Sequence, residues 1–378
     1  MYWLILACVI IGIVVYDNNN KRNGRDFLYY TTLVLVVFTS AFAYRLGTDA
    51  QKYQDTFESF VPTIFDIGGT KNARNFGWQP GFFYLLSLCK TIIPSFYFFK
   101  FVYASFINFT IFSFFRKNTK HVFLALLFYL LLQGFYFNFE IFKETLAICV
   151  FIWAYPYIEK KRWYTYYFLC LLALSFHMSA IITFFIPLVR LIKLGTKQIL
   201  ISLMIAVVIM IILSEVLLTV AGNILALNEQ LEAEYSGYLL DDYYTENRFS
   251  LNSPSTWMTL LLDVFLPIVM LYVLPKKGLL KDYYPLMIIA ILLVVPAKSI
   301  LIIFRFSIYF FVFRALFYID MFSYLSKCII NKRNFFLPVV IVCFIYVGYF
   351  FYKRNFTVTE YGFRGIDLFY PYVTCFSN

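Results

Sequence analysis

The chain has 378 residues, of which 62% are hydrophobic and 22% aromatic, and its mean hydropathy is +0.74. Apolar runs of about 17–25 residues, the length that a helix needs to cross a bilayer, recur from end to end and exclude a soluble protein. A backbone in hydrocarbon must satisfy its own hydrogen bonds, and these runs do not resemble the short alternating strands of a barrel. The sequence therefore predicts an all-α, polytopic integral membrane protein.

The net charge of +11 does not indicate a nucleic-acid partner, because the basic residues stand in short clusters between the apolar runs. Such clusters mark the cytoplasmic turns of membrane proteins. Six clusters are assigned to the cytoplasm: Lys21/Arg22/Arg25, Arg116/Lys117/Lys120, Lys160/Lys161/Arg162, Arg190/Lys193/Lys197, Lys276/Lys277/Lys281 and Lys327/Lys332/Arg333. Between each pair of neighbouring clusters the chain must cross the membrane outward and return. With one span before the first cluster and one after the last, this predicts about 12 crossings, with both termini outside.

The first predicted span lacks a basic region and a cleavage site, so we expect it to be retained. The spans cover residues 2–16, 27–44, 96–115, 121–138, 141–158, 164–177, 178–192, 197–220, 256–275, 282–300, 305–326 and 335–352. The sixth and seventh are too short to cross upright, and we expect them to meet near His177. The whole chain is predicted to be one membrane domain, with outer loops at about 45–95 and 221–255 and an outer tail at 353–378.

The segment YRLGTDAQKY (44–53) follows the second span on the predicted outer side. Arg45 and Asp49 are four residues apart, so a helical turn would pair them on one face. Thr48 or Asp49 could instead cap the next helix. In a functional interpretation Arg45 grips a phosphate, Asp49 takes a proton from a sugar hydroxyl, and the aromatic ring of Tyr53 stacks on a sugar.

The segment FGWQPGFFYLLSL (76–88) has a turn at Pro80 and Gly81, followed by a short apolar piece, 81–93, that we expect to be interfacial or re-entrant. Trp78 fits the membrane interface, where its amphipathic ring is favoured. The same ring could stack on a sugar.

Glu140, Lys143 and Glu144 lie within one helical turn at a predicted outer membrane edge. They could neutralise one another, but a partly desolvated carboxylate there could also act as a base near neutral pH. His177 is the one histidine on the predicted outer side. It is either a structural residue at a helix break or a group that shuttles a proton or binds a phosphate oxygen.

Arg305 follows the outer turn before the eleventh span, where its guanidinium could hold phosphate oxygens. Arg314 lies within that span at a cost of about 3 kcal/mol on insertion scales, and Asp263 and Asp320 are its candidate partners. In the tail, Arg364 stands among aromatic residues and glycines. The tail could fold back over an outer cavity or decorate the surface.

Seven cysteines and two histidines show no metal-ligand spacing, so we predict no metal and no cofactor. The outer side combines cations with many aromatic rings beside apolar helices. Cations bind phosphate, aromatic rings stack on sugars, and apolar helices accommodate a lipid chain. A glycan carried on a lipid diphosphate is the ligand that fits all three.

The same stretches resemble the EpsG family of bacterial exopolysaccharide proteins, a branch of the Wzy-type polymerases. The resemblance runs through RLGTDAQKY, WQPGFFYLLSL, FKETLAICVFIWA, LSFHMSAIITFFIP and FRFSIYF. This chain has Gln79 where family members often have Glu, and Lys143-Glu144 where they often have Arg-Gln. Glutamine cannot act as a general base, so the candidates for that role are Asp49, Glu140, Glu144 and His177.

The resemblance implies a metal-independent glycosyltransferase with a GT-C-like helical bundle. It would join undecaprenyl-diphosphate-linked repeat units at the outer face of the bacterial cytoplasmic membrane, with membrane lipid, a chain-length regulator and a flippase as partners. The residues expected to hold the diphosphate are Arg45, Lys143, Arg305 and Arg364.

Three other functions stay open at the level of sequence. A lipid-linked glycan flippase or transporter would line a path through both leaflets with charges. A membrane O-acyltransferase would need a histidine reached from the cytoplasm, and His121 is the one candidate. An O-antigen ligase would share the glycan donor but pass it to a lipid core.

Overall fold

A computed structural model describes residues 1–17, 24–69, 79–189, 196–212, 223, 254–273, 279–299, 301–329, 341, 345, 348–349, 351–352, 356, 365–370 and 372–376. Within these residues every regular element is a helix, accompanied by an isolated antiparallel bridge between Ala43 and Thr374. The predicted all-α class is therefore confirmed. The chain forms two compact units, Met1–Ile181 with Tyr318–Asn378, and Ile182–Phe317. One membrane domain stays a prediction.

The first unit holds nine α-helices among its described N-terminal residues. They are α1 (Tyr2–Gly12), α2 (Arg25–Ala41), α3 (Thr48–Ser59), α4 (Pro80–Ile92), α5 (Phe96–Asn118), α6 (Val122–Tyr129), α7 (Phe135–Phe139), α8 (Phe142–Glu159) and α9 (Trp163–Phe176). Two π-helical segments, Ile13–Asp17 and Leu130–Gly134, continue α1 and join α6 to α7. A short 3₁₀ helix, Met178–Ile181, follows α9.

The second unit begins with α10 (Ile182–Val189) and α11 (Thr196–Ile212). It continues through α12 (Pro254–Leu260), a π-helical segment Leu261–Phe265, α13 (Leu266–Val273), α14 (Leu279–Ser299) and α15 (Leu301–Ile308). The last helix, α16 (Phe311–Ile329), starts in this unit. Arg314 forms an ion pair with Asp263 at 2.7 Å, so one of its two predicted partners is confirmed.

These helices match most of the predicted spans to within a few residues. Among the described residues, Phe96–Asn118 and Val122–Phe139 are long and apolar enough to cross a membrane. The count of about 12 crossings stays a prediction. Trp78, Arg364, nearly all of the loop 221–255 and most of the span 335–352 lie outside the described residues.

Apolar helices surrounded on all sides form the core of the first unit. All eight residues of α6 are buried, as expected for a helix that is hydrophobic all round. Helix α8 buries most of its length and packs along α9. Because a short turn at 160–162 joins them, α8 and α9 run antiparallel, and the start of α8 lies beside the end of α9.

A buried polar network, close to the start of α8, ties together four α-helices and the π-helical segment 130–134. Asn138 Oδ1 accepts hydrogen bonds from Ser40 Oγ at 2.7 Å and from Asn108 Nδ2 at 2.8 Å. Tyr129 OH donates to Asn108 Oδ1 at 2.9 Å, and Asn138 Nδ2 donates to the carbonyl of Gly134 at 2.8 Å. Buried polar groups that satisfy one another in this way fix a unique packing, and this network fixes the turn that carries Glu140.

Candidate functional site

Glu140 lies between α7 and α8 and caps a helix from another part of the chain. Its side chain is buried, and Oε2 accepts a hydrogen bond from the backbone N–H of Asp49 at 3.1 Å. Asp49 stands in the first turn of α3, where N–H groups have no partner within the helix. The N-cap residue itself is Gly47. The predicted capping by Thr48 or Asp49 is therefore wrong, since a carboxylate from the α7–α8 turn does the capping.

The approach to α3 requires a glycine at position 47. Gly47 has φ +86°, and a Cβ there would stand 2.5 Å from the carbonyl oxygen of Phe139 and 2.8 Å from Glu140 Oε1. The preceding Arg45 also has a left-handed φ of +44°. The sequence RLG therefore builds a tight loop that passes directly over the Phe139–Glu140 turn.

Arg45 lies in this loop and pairs with Asp55 on α3, not with Asp49. The predicted Arg45–Asp49 pair is wrong because Arg45 precedes the helix and does not belong to its first turn. The two paired side chains are 43% and 60% exposed. An ion pair in such an exposed position contributes about 0–1 kcal/mol, so an anionic ligand can compete for the guanidinium at little cost.

Lys143 and Tyr53 meet on the inner side of α3. Lys143 Nζ lies 5.9 Å from the centroid of the Tyr53 ring. That ring stacks on Phe142 at 5.5 Å and meets Phe82 edge-on at 5.4 Å. Tyr53 is 8% exposed, so the structure gives it a packing role, and sugar stacking by Tyr53 stays a prediction.

Glu144 and His177 are joined through the hydroxyl of Ser179. Ser179 Oγ lies 2.9 Å from Glu144 Oε1 and 2.6 Å from His177 Nδ1. The backbone N–H of Ser179 also points to Nδ1 at 3.2 Å. All three side chains are buried, with 1%, 5% and 4% of their surfaces exposed in the order Glu144, Ser179, His177. A carboxylate, a hydroxyl and an imidazole in one buried chain of hydrogen bonds are groups that can accept and pass on a proton.

The break after α9 creates this arrangement. α9 ends at Phe176, His177 takes an extended backbone conformation, and the 3₁₀ helix begins at Met178. The antiparallel course of α8 and α9 then brings the start of α8 beside this break. The sequence-based expectation that Glu140, Glu144 and His177 share one end of the helices is thus confirmed for Glu144 and His177 by their common serine.

A second glycine brings α4 to the same end of α9. A Cβ at Gly81 would lie 2.3 Å from Ser175 Oγ and 2.9 Å from the Ser175 carbonyl oxygen. Because the backbone cannot give way to a side chain, only glycine permits this approach. The QPGF turn and the histidine therefore belong to one region of the fold.

The described part of the C-terminal tail packs against the Arg45 loop. The backbone N–H of Tyr44 donates to the Val373 carbonyl at 2.8 Å, and that of Cys375 donates to the Phe42 carbonyl at 3.0 Å. Phe369 joins a buried cluster with Ala43, Leu46 and Phe139. Of the two roles considered for the tail, folding back is therefore the one observed.

Lys100 forms a hydrogen bond with the backbone just before the Arg45 loop. Its side chain is buried in α5, and Nζ donates to the carbonyl of Ala43 at 2.6 Å. Sequence analysis did not identify Lys100, Phe369 or Ser179 as site residues. Ser179 had a usable signal, a hydroxyl two residues after the histidine, whereas the contacts of Lys100 and Phe369 join positions more than fifty residues apart.

An apolar cavity of about 460 Å³ lies in the first unit. Residues of α1, α2, the π-helical segment 130–134 and the tail line it, with Ser40 and Asn138 among its few polar residues. It is therefore adjacent to the polar network that holds the Glu140 turn.

The structure gives less information on the remaining predicted site residues. Arg305 is half-buried in α15 of the second unit, and its role stays a prediction. Trp78 and Arg364, outside the described residues, keep their predicted roles. Within the part of the chain that the structure describes, no group of three or more His, Cys, Asp or Glu side chains could hold a metal ion.

Among the described residues every regular element is a helix, and two helices are long and apolar enough to cross a membrane, which is consistent with a helical membrane protein. A model of the EpsG family matches residues 26–373. The chain therefore belongs to the EpsG family, whose members are Wzy-like polymerases. Neither the curated proteins nor the solved structures contain a significant match to it.

Proposed function

We propose that this protein is a polysaccharide polymerase, a metal-independent glycosyltransferase of the GT-C type. Its substrate is an oligosaccharide repeat unit on undecaprenyl diphosphate, and its product is a longer lipid-linked chain for exopolysaccharide, capsule or O-antigen. The buried Glu144–Ser179–His177 chain carries the proposal, because transfer to a sugar hydroxyl needs a group that accepts the hydroxyl proton.

The acceptor hydroxyl attacks the anomeric carbon of the growing chain as the bond to the diphosphate breaks. His177 and Glu144 take up the hydroxyl proton. Glu140 is a positioning residue in this proposal, because its carboxylate already holds the N-terminus of α3. Asp49 remains a further candidate base on the first turn of that helix.

The departing diphosphate carries the developing negative charge, and cations placed where charge develops stabilise such a transition state. Arg45 is the best supported ligand, since its partner Asp55 is largely exposed and holds it weakly. Lys143, Arg305 and Arg364 keep their predicted roles as diphosphate ligands in this proposal. The apolar cavity beside the polar network is a candidate binding site for the lipid chain.

We propose that the reaction takes place at the outer face of the bacterial cytoplasmic membrane. The basic clusters assigned to the cytoplasm would orient the helices so that the site lies on the opposite side. A flippase that delivers the lipid-linked unit and a chain-length regulator are the proposed partners. The roles of Trp78 and Tyr53 as sugar-stacking residues are part of the same proposal.

The test uses purified full-length protein in detergent or proteoliposomes with a synthetic undecaprenyl-diphosphate repeat unit, with and without EDTA. The proposal predicts a ladder of lengthened lipid-linked glycans that survives chelation. Movement of the substrate across the proteoliposome membrane without a ladder would support a flippase. Transfer to a lipid core acceptor without a ladder would support a ligase.

A further inference from the structure

Three proton-carrying groups are linked in series at the end of α9, and the middle one is a serine. A single hydroxyl hydrogen lies between two acceptors, Glu144 Oε1 at 2.9 Å and His177 Nδ1 at 2.6 Å. Whichever acceptor receives it, the other contact needs a hydrogen from the neighbouring group. The three groups therefore share two hydrogens, and both must point the same way along the chain.

Two arrangements satisfy all of these contacts. In the first, Glu144 is a carboxylate that accepts from Ser179, and Ser179 accepts from a hydrogen on His177 Nδ1. In the second, Glu144 is a carboxylic acid that donates to Ser179, and Ser179 donates to a bare Nδ1. Transfer starts from the first arrangement, in which Ser179 donates to Glu144 and Nε2 is bare, and ends in the second, in which the backbone N–H of Ser179 that points to Nδ1 at 3.2 Å stabilises the bare Nδ1.

We propose that Ser179 is a positioning residue that relays a proton from His177 to Glu144 during glycosyl transfer. This inference rests on the proposed function. The acceptor hydroxyl gives its proton to His177 Nε2 as its oxygen bonds to the anomeric carbon, and the departing diphosphate keeps the electron pair of the broken bond. The Nδ1 proton moves to Ser179 Oγ while the Ser179 proton moves to Glu144. The reverse shift returns the proton through Nε2 to the diphosphate.

The burial of the three side chains explains why a relay would be favoured. Uncompensated charge is costly in a buried site, and Glu144, Ser179 and His177 are each at most 5% exposed. The relay leaves a neutral imidazole and a neutral carboxylic acid, so no imidazolium has to persist. Since His177 is 4% exposed, the relay also requires that bound substrate uncover Nε2.

The test compares Ser179→Ala and Ser179→Thr with the wild type in the ladder assay. Ser179→Ala is expected to lower kcat by about 100-fold, within the range of general acid–base catalysis, with little change in KM. Ser179→Thr keeps the hydroxyl and should restore most of kcat. The decrease of kcat in D₂O should be smaller for Ser179→Ala, an effect that a merely structural role would not produce.

Ser175→Ala is the matched control, because it removes a hydroxyl four residues earlier that donates to the Leu172 carbonyl. The relay also predicts that Ser179→Ala adds no further loss in a Glu144→Gln background, since the chain is already broken there. If size exclusion and thermal melting show that Ser179→Ala does not fold, Ser179→Val takes its place, because it has the shape of Ser179→Thr without the hydroxyl and should lose kcat likewise.

Full kcat in a folded Ser179→Ala or Ser179→Val protein would overturn the relay while leaving the polymerase intact. Multiplicative losses from Ser179→Ala and Glu144→Gln would overturn it as well. A wild-type protein that makes no ladder would instead overturn the proposed function.

Discussion

Glu140 and Lys90 hold opposite ends of the same helix. Glu140 accepts a hydrogen bond from the first turn of α3, and Lys90 Nζ donates to the carbonyls of Phe57 and Glu58 in its last turn, at 2.6 and 3.2 Å. A negative group at the N-terminus and a positive group at the C-terminus both complement the helix dipole. Desolvation lowers the pKa of Lys90, and the nearby Glu58 opposes this shift. Helix α3 is therefore clamped from outside at both ends.

The clamp separates the roles of the two buried glutamates. Glu140→Gln keeps an acceptor for the Asp49 N–H and should retain most of the polymerisation rate. Glu140→Ala removes it and should lower the free energy of unfolding by about 1 kcal/mol, as loss of an N-cap does. Thermal melting and ladder assays of both variants check this. Loss of activity in a Glu140→Gln protein of unchanged stability would show that Glu140 is itself a base.

Gly47 should resist substitution. Gly47→Ala puts a Cβ at a positive φ and against the Phe139 carbonyl, so we expect a loss of more than about 1 kcal/mol of stability. Gly348→Ala is the matched control, because a Cβ there meets no atom of the described residues within 4 Å. Chemical denaturation of both variants in one detergent measures the difference. Equal stabilities would contradict the tight loop.

Arg45 should act on substrate binding. Arg45→Ala should raise KM for the lipid-linked unit and lower kcat, because a diphosphate cation is lost, while Arg45→Lys should recover part of both. Arg116→Ala is the control, since Arg116 is also about 40% exposed and paired with an exposed aspartate, Asp26. Equal effects of Arg45→Ala and Arg116→Ala would argue against a specific role for Arg45.

The tail should be needed for an active loop. Phe369→Ala empties part of the cluster with Leu46 and Phe139, and large-to-small changes at buried aromatic positions cost about 3–5 kcal/mol. We expect a lower melting temperature together with reduced activity. Phe376→Ala, at a position of the same tail that is 77% exposed, should leave both nearly unchanged. A fully active, equally stable Phe369→Ala protein would show that the tail does not support the loop.

The sequence predicted the helices and the clustering of charged residues at one end of α8 and α9. It did so because span length and basic turns are set by the bilayer. The partners of individual charged residues were harder to predict. Arg45 pairs with Asp55 because the chain takes a left-handed turn before α3, and a rule based on residue spacing in a helix cannot predict that turn. The Glu144–Ser179 contact likewise depends on the break after Phe176, whose geometry only the packing of α8 on α9 determines.

The most direct test of the central claim is the initial rate of glycan extension by His177→Ala and Glu144→Gln, measured beside the wild type. Glu58→Gln serves as the control, because it changes a glutamate of α3 that pairs with Gln54. If the buried chain accepts the hydroxyl proton, both variants should fold, bind the lipid-linked unit and extend it about 100-fold or more slowly, whereas Glu58→Gln should work at the wild-type rate. Extension at the wild-type rate by either variant would contradict the account.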